Sequence, residues 1–330
     1  MLAGVQIVCF AASYAAALLL EVSRMVFRSG VRGAVMLGFA GAGFVAHSAF
    51  LYYRAVKTPG SPLSSEQDWC LLGAWLLAVV YLYLVWYHPQ QSFGLFLLPL
   101  VLGLIAAGAF LARSEPFARE PASYIWGVIH GTAILLATVA VLAGFAAGVM
   151  YVYQDRRLKR KLPLPRGLRL PSLEWLARAN HRALVVAVIM LAIGVAAGVV
   201  LNAFRRAGGL DLLPWHDPVV FATFIMLLWL LSAVAIAARY PAQHQGRKVA
   251  YLTLVSFIFL LVALSAMLLF DTAHGGKNQK QQTVHSQRLP AHHRAEPADA
   301  GGRAVQVCGG RDGPSFVLFH RTLQTCPCRL

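Results

Sequence analysis

Length, composition and charge together indicate a membrane protein. The chain has 330 residues, of which 58% are hydrophobic and 13% are charged, and its mean hydropathy is +0.62. This is more apolar surface than one soluble domain of this length would bury, so an ordinary soluble enzyme is excluded and lipid is the expected solvent. The net charge of +16 would favour nucleic acid as the partner of a soluble protein. In a membrane protein, Lys and Arg instead accumulate in the cytoplasmic loops, so the charge indicates topology and no nucleic-acid partner is predicted.

Apolar stretches long enough to cross a lipid bilayer recur along the first 270 residues. In a helix, about 20 apolar residues cross roughly 30 Å of hydrocarbon. The predicted spans are residues 3–23, 34–54, 69–88, 93–112, 123–153, 183–204, 217–238 and 249–270. The first stretch has no A-x-A-like cleavage site, so we expect a retained helix and not a signal peptide. The sequence therefore predicts an all-α fold, a polytopic transmembrane helical bundle with about eight spans.

The region after the fifth stretch interrupts this pattern. The fifth stretch is longer than one span needs, and its polar end at residues 151–161 predicts a helix that continues out of the membrane. The loop 155–182 then passes through three prolines and restarts at Ser172, whose position is typical of a helix N-cap. Trp175 beside Arg178 predicts a short interfacial helix on an anionic leaflet.

The distribution of Lys and Arg predicts the orientation of the spans. With the N-terminus outside, fifteen Lys and Arg of the loops face the cytoplasm and six face outward. Nine of the fifteen lie between Arg156 and Arg182, and cytoplasmic loops are the ones that accumulate these residues. An even number of spans then places the C-terminus outside as well.

The chain divides into three regions by composition. Residues 1–122 form an N-terminal four-span region, and residues 123–275 form a second four-span region. After that the composition changes to Gln, His, Arg, Gly and Pro with little periodicity. Residues 276–330 are therefore predicted to be a disordered tail.

Four histidines are predicted to lie in the outer half of the membrane or at its outer surface. They are His47 in the second span, His130 near the start of the fifth, His216 before the seventh and His274 just after the eighth. Ionisable groups in a bilayer are costly, so each is a candidate for function. Two neutral imidazoles from different helices can ligate one haem iron. The alternative for each one alone is a histidine bonded to a neighbouring helix or placed at the headgroup level.

The outer loop 205–218 ends in Trp215, His216 and Asp217, just before a span that contains Trp229. Aromatic faces at this place can stack on a porphyrin. The alternative is that Trp215 is one of the interfacial aromatic residues found in most membrane proteins.

Several segments between Tyr124 and Gly275 occur in a distinctive order. They are Trp126-Gly127-Val128-Ile129-His130 at the head of a long helix, Arg169-Leu170-Pro171-Ser172-Leu173-Glu174-Trp175-Leu176, Trp215-His216-Asp217-Pro218 and Asp271-Thr272-Ala273-His274-Gly275. This order resembles the cytochrome c assembly family in its CcsA and HemX-like branch. In that family, two outer histidines flank a tryptophan-rich loop.

The resemblance implies a haem-binding protein of the bacterial inner membrane. His130 and His274 would ligate the iron of haem b, held as a bound substrate at the outer face. Trp215, His216 and Asp217 would form the loop against the macrocycle, and His47 would have an accessory role. The implied partners are apocytochrome c and a CcsB-like membrane protein in the lipid bilayer. The protein would belong to a haem lyase complex without itself supplying an acid or base.

Three departures from the family pattern leave alternatives open. The tryptophan-rich motif is reduced, Val219-Val220 stand where the family loop has Lys-Glu, and no histidine ends the seventh span. One alternative is a HemX-like regulatory membrane protein that affects haem biosynthesis through partner contacts without catalysis. The other is a transporter or structural membrane protein without haem.

Overall fold

The computed structural model describes residues 6–23, 30–57, 65–114, 124–161, 168–207, 217–239 and 242–269. Within these ranges all regular structure is α-helical, which confirms the predicted fold class. The eight helices are α1 (Ile7–Ser23), α2 (Gly30–Lys57), α3 (Glu66–Tyr87), α4 (Gly94–Phe110), α5 (Tyr124–Lys159), α6 (Leu173–Ala207), α7 (Pro218–Arg239) and α8 (Ala242–Leu269). Each predicted span coincides with one of them.

Six of these eight helices are long and apolar enough to cross a membrane, namely all except α1 and α4. Those two have 17 residues each, or about 25 Å of helix. Many large apolar side chains on the long helices are exposed, among them Val45, Leu228 and Ile258. Lipid is the solvent in which such a surface is stable.

Successive helices run in opposite directions, which gives the bundle two distinct ends. The ion pair between Arg54 of α2 and Asp68 of α3, 2.9 Å apart, joins the end of one helix to the start of the next. The backbone N–H of Gln67 donates to the carbonyl of Arg113, just beyond α4, at 3.1 Å. Trp69 lies against Gly131 near the start of α5. We call this the His130 end and the opposite one the basic end.

Small residues let α5 approach its neighbours closely in the second half of the bundle. A Cβ added at Gly148 would stand 3.0 Å from the hydroxyl of Thr253 and 3.3 Å from the carbonyl oxygen of Ala250, both on α8. Asn180 of α6 is fully buried beside them, and its amide, in the orientation its neighbours require, donates to Thr253 and to the carbonyl of Gly144. A polar group in the bundle core is thereby satisfied.

The basic end confirms one local prediction and corrects another. The N–H of Trp175 donates to the Ser172 hydroxyl at 3.3 Å, so Ser172 caps the helix as predicted. The predicted short interfacial helix is wrong, because α6 is continuous from Leu173 through the membrane-spanning stretch. The Trp175 ring packs 5.6 Å from that of Phe93 and 5.8 Å from that of His88. The first turns of α6 thus pack against the turn between α3 and α4. The α5 helix continues beyond its apolar stretch to Lys159, as predicted.

Candidate functional site

His130 lies near the start of α5, half-buried against α6. Its Nδ1 is 2.7 Å from the carbonyl oxygen of Gly194. A carbonyl oxygen only accepts, so Nδ1 carries the hydrogen in this bond. A neutral imidazole in this tautomer has its lone pair on Nε2. Histidines that ligate metals commonly donate the other ring N–H to a carboxylate, a backbone carbonyl or water, and this bond orients the ring.

Two glycines on α6 allow the close approach of α5, one against the His130 ring and the other against Ile134. A Cβ at Gly198 would stand 3.0 Å from both Nδ1 and Cε1 of His130, and one at Gly194 would stand 2.7 Å from Cδ1 of Ile134. The glycines are four residues apart, so they share one face of the helix. This G-x-x-x-G spacing brings two helix backbones close together. The close approach places the Gly194 carbonyl within hydrogen-bond distance of the imidazole.

Trp69 of α3 packs against α5 next to His130. Its indole covers the Cα of Gly131 so closely that no Cβ would fit there. The side chain is half-buried, and Gly131 follows His130 directly in the sequence. An aromatic ring of α3 therefore lies beside the backbone that carries the histidine.

Asp217 is buried at the start of α7, where it has a local structural role. Its carboxylate accepts a hydrogen bond from the N–H of Val219 at 2.9 Å, and its backbone oxygen accepts one from Phe221 at 3.0 Å. Pro218 occupies the first helical position, where its missing N–H costs nothing. Asp217 is thus the N-cap of α7.

Helix register gives the level of His130 along the bundle. Gly148 of α5 lies opposite Ala250 of α8, and the two helices are antiparallel, as the stacked rings of Phe145 and Phe257 show. Eighteen residues back along α5 and eighteen forward along α8 lead to His130 and Leu268. The last turn of α8 therefore reaches about the same level as His130.

Three of the predicted site residues, Trp215, His216 and His274, lie outside the described residues. In the sequence, Trp215 and His216 come directly before Asp217, the cap of α7. His274 follows the last residue of α8 by five positions. Both helix ends belong to the His130 end of the bundle.

His47 is placed elsewhere, between α1 and α2. Its ring is fully buried and stacks on Phe10, with centroids 4.1 Å apart and planes 2° from parallel. Tyr14 meets it edge-on at 6.2 Å. Among the described residues, neither ring nitrogen has a hydrogen-bond partner of acceptable geometry. The His47 ring thus lies against Phe10 and Tyr14 of α1 and near the Leu71 backbone of α3, and none of these groups is one that contacts His130.

Within the described ranges no three His, Cys, Asp or Glu side chains lie close enough to hold a metal ion together. Haem does not need such a cluster, because the porphyrin supplies four nitrogens and the protein only axial ligands. The chemistry available near His130 is one oriented imidazole, an aromatic ring and an apolar surface, which fits the binding of a planar metal complex.

The sequence did not reveal two contacts of this arrangement. Gly194 and Gly198 are readable as part of the family resemblance and as a G-x-x-x-G spacing, but the histidine that packs against them lies 64 residues away from Gly194. Trp69 carries no local signal, because it resembles any aromatic residue at a membrane interface.

A model of a known protein family matches the chain. The model for "Cytochrome C assembly protein" matches residues 64–274, almost two thirds of the chain, and includes His130 and His274. It begins well before Tyr124, so α3 and α4 also belong to the matched region. No curated protein and no solved structure matches the chain. The apolar helices and the matched region together make this an integral membrane protein, and the chain belongs to the cytochrome c assembly protein family.

Proposed function

We propose that the protein binds haem b as a substrate at the outer face of the bacterial inner membrane and presents it to apocytochrome c. His130 and His274 ligate the iron in this proposal. The observation that carries it is the hydrogen bond from Nδ1 of His130 to the Gly194 carbonyl, because it leaves the ring in the tautomer that metal ligands use. Membership of the cytochrome c assembly family supports a role in cytochrome c biogenesis, the process in which this haem would be used.

Two further observations support His274 as the second ligand. The end of α8 reaches the level of His130, and the sequence from Leu269 to His274 is short. His130 and the end of α8, which precedes His274, are far apart in the sequence but lie at the same end of the bundle. One iron can take both imidazoles there.

The aromatic residues of this end provide the surface for the macrocycle in the proposal. Trp215 stands two positions before the cap of α7, and Trp69 packs against Gly131, the residue that follows His130. Asp217 acts through its capping bonds, which hold the loop end that carries Trp215 and His216. His216 lies next to Trp215 in this loop and would contact the edge of the porphyrin.

The reaction needs positioning more than acid or base chemistry. Attachment adds each S–H of a C-x-x-C-H segment across a haem vinyl group, forming a C–S bond and a C–H bond without consuming an oxidant. Holding the vinyl groups next to the thiols is the main contribution that a protein makes. A CcsB-like membrane protein would complete the haem lyase complex.

The test is the haem content of the purified protein and its variants. We expect the wild type, made in membranes that contain haem, to show a bis-histidine spectrum. His130→Ala and His274→Ala should each lose most of the haem at normal expression, and the double variant should be little worse, because the ligands act as a unit. Added imidazole should partly restore binding to each single variant.

His181→Ala is the matched control, because it removes an imidazole of α6 toward the basic end. It should keep wild-type haem content. If His130→Ala and His274→Ala also keep it, or if the wild type binds no haem, the ligand assignment is wrong.

A second candidate is a HemX-like regulatory membrane protein of haem biosynthesis. It is favoured by Val219-Val220, which replace the charged pair of the family loop and form the first turn of α7. A genomic neighbourhood without c-type cytochromes or a CcsB-like partner, together with a haem-free protein, would identify it.

A further inference from the structure

An open groove lies between α7 and α8, with a volume of about 390 Å³. It is lined by Trp229, Ile236, Lys248, Tyr251, Leu252 and Val255. Three of these side chains are aliphatic and Trp229 presents an indole, whereas the ammonium of Lys248 and the hydroxyl of Tyr251 both belong to the first part of α8. The groove is thus apolar along most of its length and polar toward one end.

The register of the two helices gives the direction of the groove. The indole N–H of Trp229 donates to the Ser256 hydroxyl at 3.1 Å, so these residues face each other near the middle of the helices. The α7 helix ends at Arg239 and α8 begins at Ala242, so Ile236 and Lys248 lie toward the basic end. Seven residues of helix separate Trp229 from Ile236 and Lys248 from Val255. The groove therefore extends about 10 Å from the basic end toward mid-membrane.

Positive charge surrounds the polar end. Lys248 and Arg247 are both exposed, and the guanidinium of Arg247 lies 5.7 Å from the centre of the Tyr251 ring. Asp155 of α5 is 3.8 Å from Arg247 and also pairs with Lys159 at 2.8 Å, so its charge is shared between two cations. A cationic mouth above an apolar channel complements an anionic headgroup followed by a hydrocarbon chain.

We propose that this groove binds an anionic phospholipid of the leaflet at the basic end. The headgroup phosphate lies at Lys248 and the Tyr251 hydroxyl, and one acyl chain runs between Ile236 and Leu252 toward Trp229. The site is independent of haem binding, because it lies at the opposite end of the bundle from His130. The lipid joins α7 to α8 on the side where they are exposed.

The first test compares lipid retention by the full-length protein in nanodiscs. Phosphatidylglycerol and phosphatidylcholine are supplied at equal amounts, and bound lipid is counted by native mass spectrometry after release. We expect one retained phosphatidylglycerol in preference to phosphatidylcholine. Lys248→Gln should weaken that retention about fivefold, the effect of one cation at a membrane surface. Arg178→Gln removes an exposed charge of α6 outside the groove and should leave retention unchanged.

The second test fills the groove. Val255→Trp places a large ring in the channel and should abolish retention, whereas Ile258→Trp adds the same ring to an exposed position of α8 outside the lining. Equal retention of the two lipids, or full retention by both Lys248→Gln and Val255→Trp, would overturn the proposal. Dimerisation that Val255→Trp abolishes would also overturn it, with a second copy of the chain as the occupant.

Discussion

At His130 a single backbone carbonyl determines which ring nitrogen is suited to a metal. The carbonyl belongs to Gly194, and the ring reaches it because Gly198 has no side chain in the way. A residue far from His130 in sequence therefore controls the orientation of its imidazole. The same residue type at His47 stacks on Phe10 and lies near the backbone of Leu71, but neither of its ring nitrogens makes a hydrogen bond of acceptable geometry among the described residues.

Gly198→Val should separate this orientation from the presence of the histidine. The new side chain starts 3.0 Å from the ring and must displace it, which breaks the bond to Gly194. We expect haem retention to fall about tenfold, as for the loss of other groups that orient metal ligands. Gly103→Val is the control, because its added Cβ meets nothing within 4 Å. Wild-type haem content in Gly198→Val would show that the bond does not matter.

His47→Phe should distinguish a packing role from an accessory role in haem binding. Phenylalanine keeps the stack on Phe10 and removes two buried nitrogens that have no partner among the described residues. We expect stability in detergent to rise by about 1 kcal/mol, because an unsatisfied buried polar group is costly. Haem content should not change. Haem loss from a variant that remains folded would restore His47 as a site residue.

At the scale of helices, a buried ion pair, a buried amide and small residues determine how the helices pack, because apolar surface alone does not fix their alignment. Lipid tails are as apolar as leucine, so helices in a membrane associate through packing and polar contacts instead. Gly148 and Asn180 do this for α5, α6 and α8. Arg54 and Asp68 do it for α2 and α3, where the carboxylate is fully buried and the guanidinium 17% exposed.

Asp68→Asn should therefore destabilise the protein strongly, by about 3 kcal/mol, because it leaves the Arg54 charge without its buried counter-ion. Arg54→Gln in the same chain should recover part of the loss. Thermal unfolding in detergent measures both. Lys159→Gln breaks an exposed pair with Asp155 and should cost less than about 1 kcal/mol. Equal losses in Asp68→Asn and Lys159→Gln would contradict the role of burial.

At the scale of the whole molecule, topology decides whether the candidate ligands share one face of the membrane. The helices place His130, the start of α7 and the end of α8 at one end of the bundle. The bias of fifteen cytoplasmic against six outer Lys and Arg in the loops predicts that this end faces outward.

Cysteine labelling of intact cells tests that orientation. In a chain without other cysteines, Arg160→Cys should be protected from an impermeant reagent, and Arg119→Cys should react with it. Permeabilised cells provide the control, since both positions should then react. Labelling of position 160 from outside would reverse the topology and with it the outer location of the haem site.

The sequence by itself determined the class of fold, the position of each helix among the described residues and the family. Runs of about twenty apolar residues admit only helices in lipid, so each predicted span lies on one helix, although α6 begins ten residues before its expected start and α8 seven. The long helix after Tyr124 and the cap at Ser172 also followed from local composition. These features depend on residues that are close together in the chain, so they can be read from the sequence.

Only the tertiary structure decided which residues meet. Trp175 could have faced lipid, but the turn at Phe93 packs against it, so α6 begins at Leu173 as one continuous helix. His47 and His130 look alike as histidines in apolar helices, yet one stacks on Phe10 and the other bonds to Gly194. Such contacts join positions far apart in the chain, and their energies depend on helix rotation and distance, which apolar periodicity does not specify.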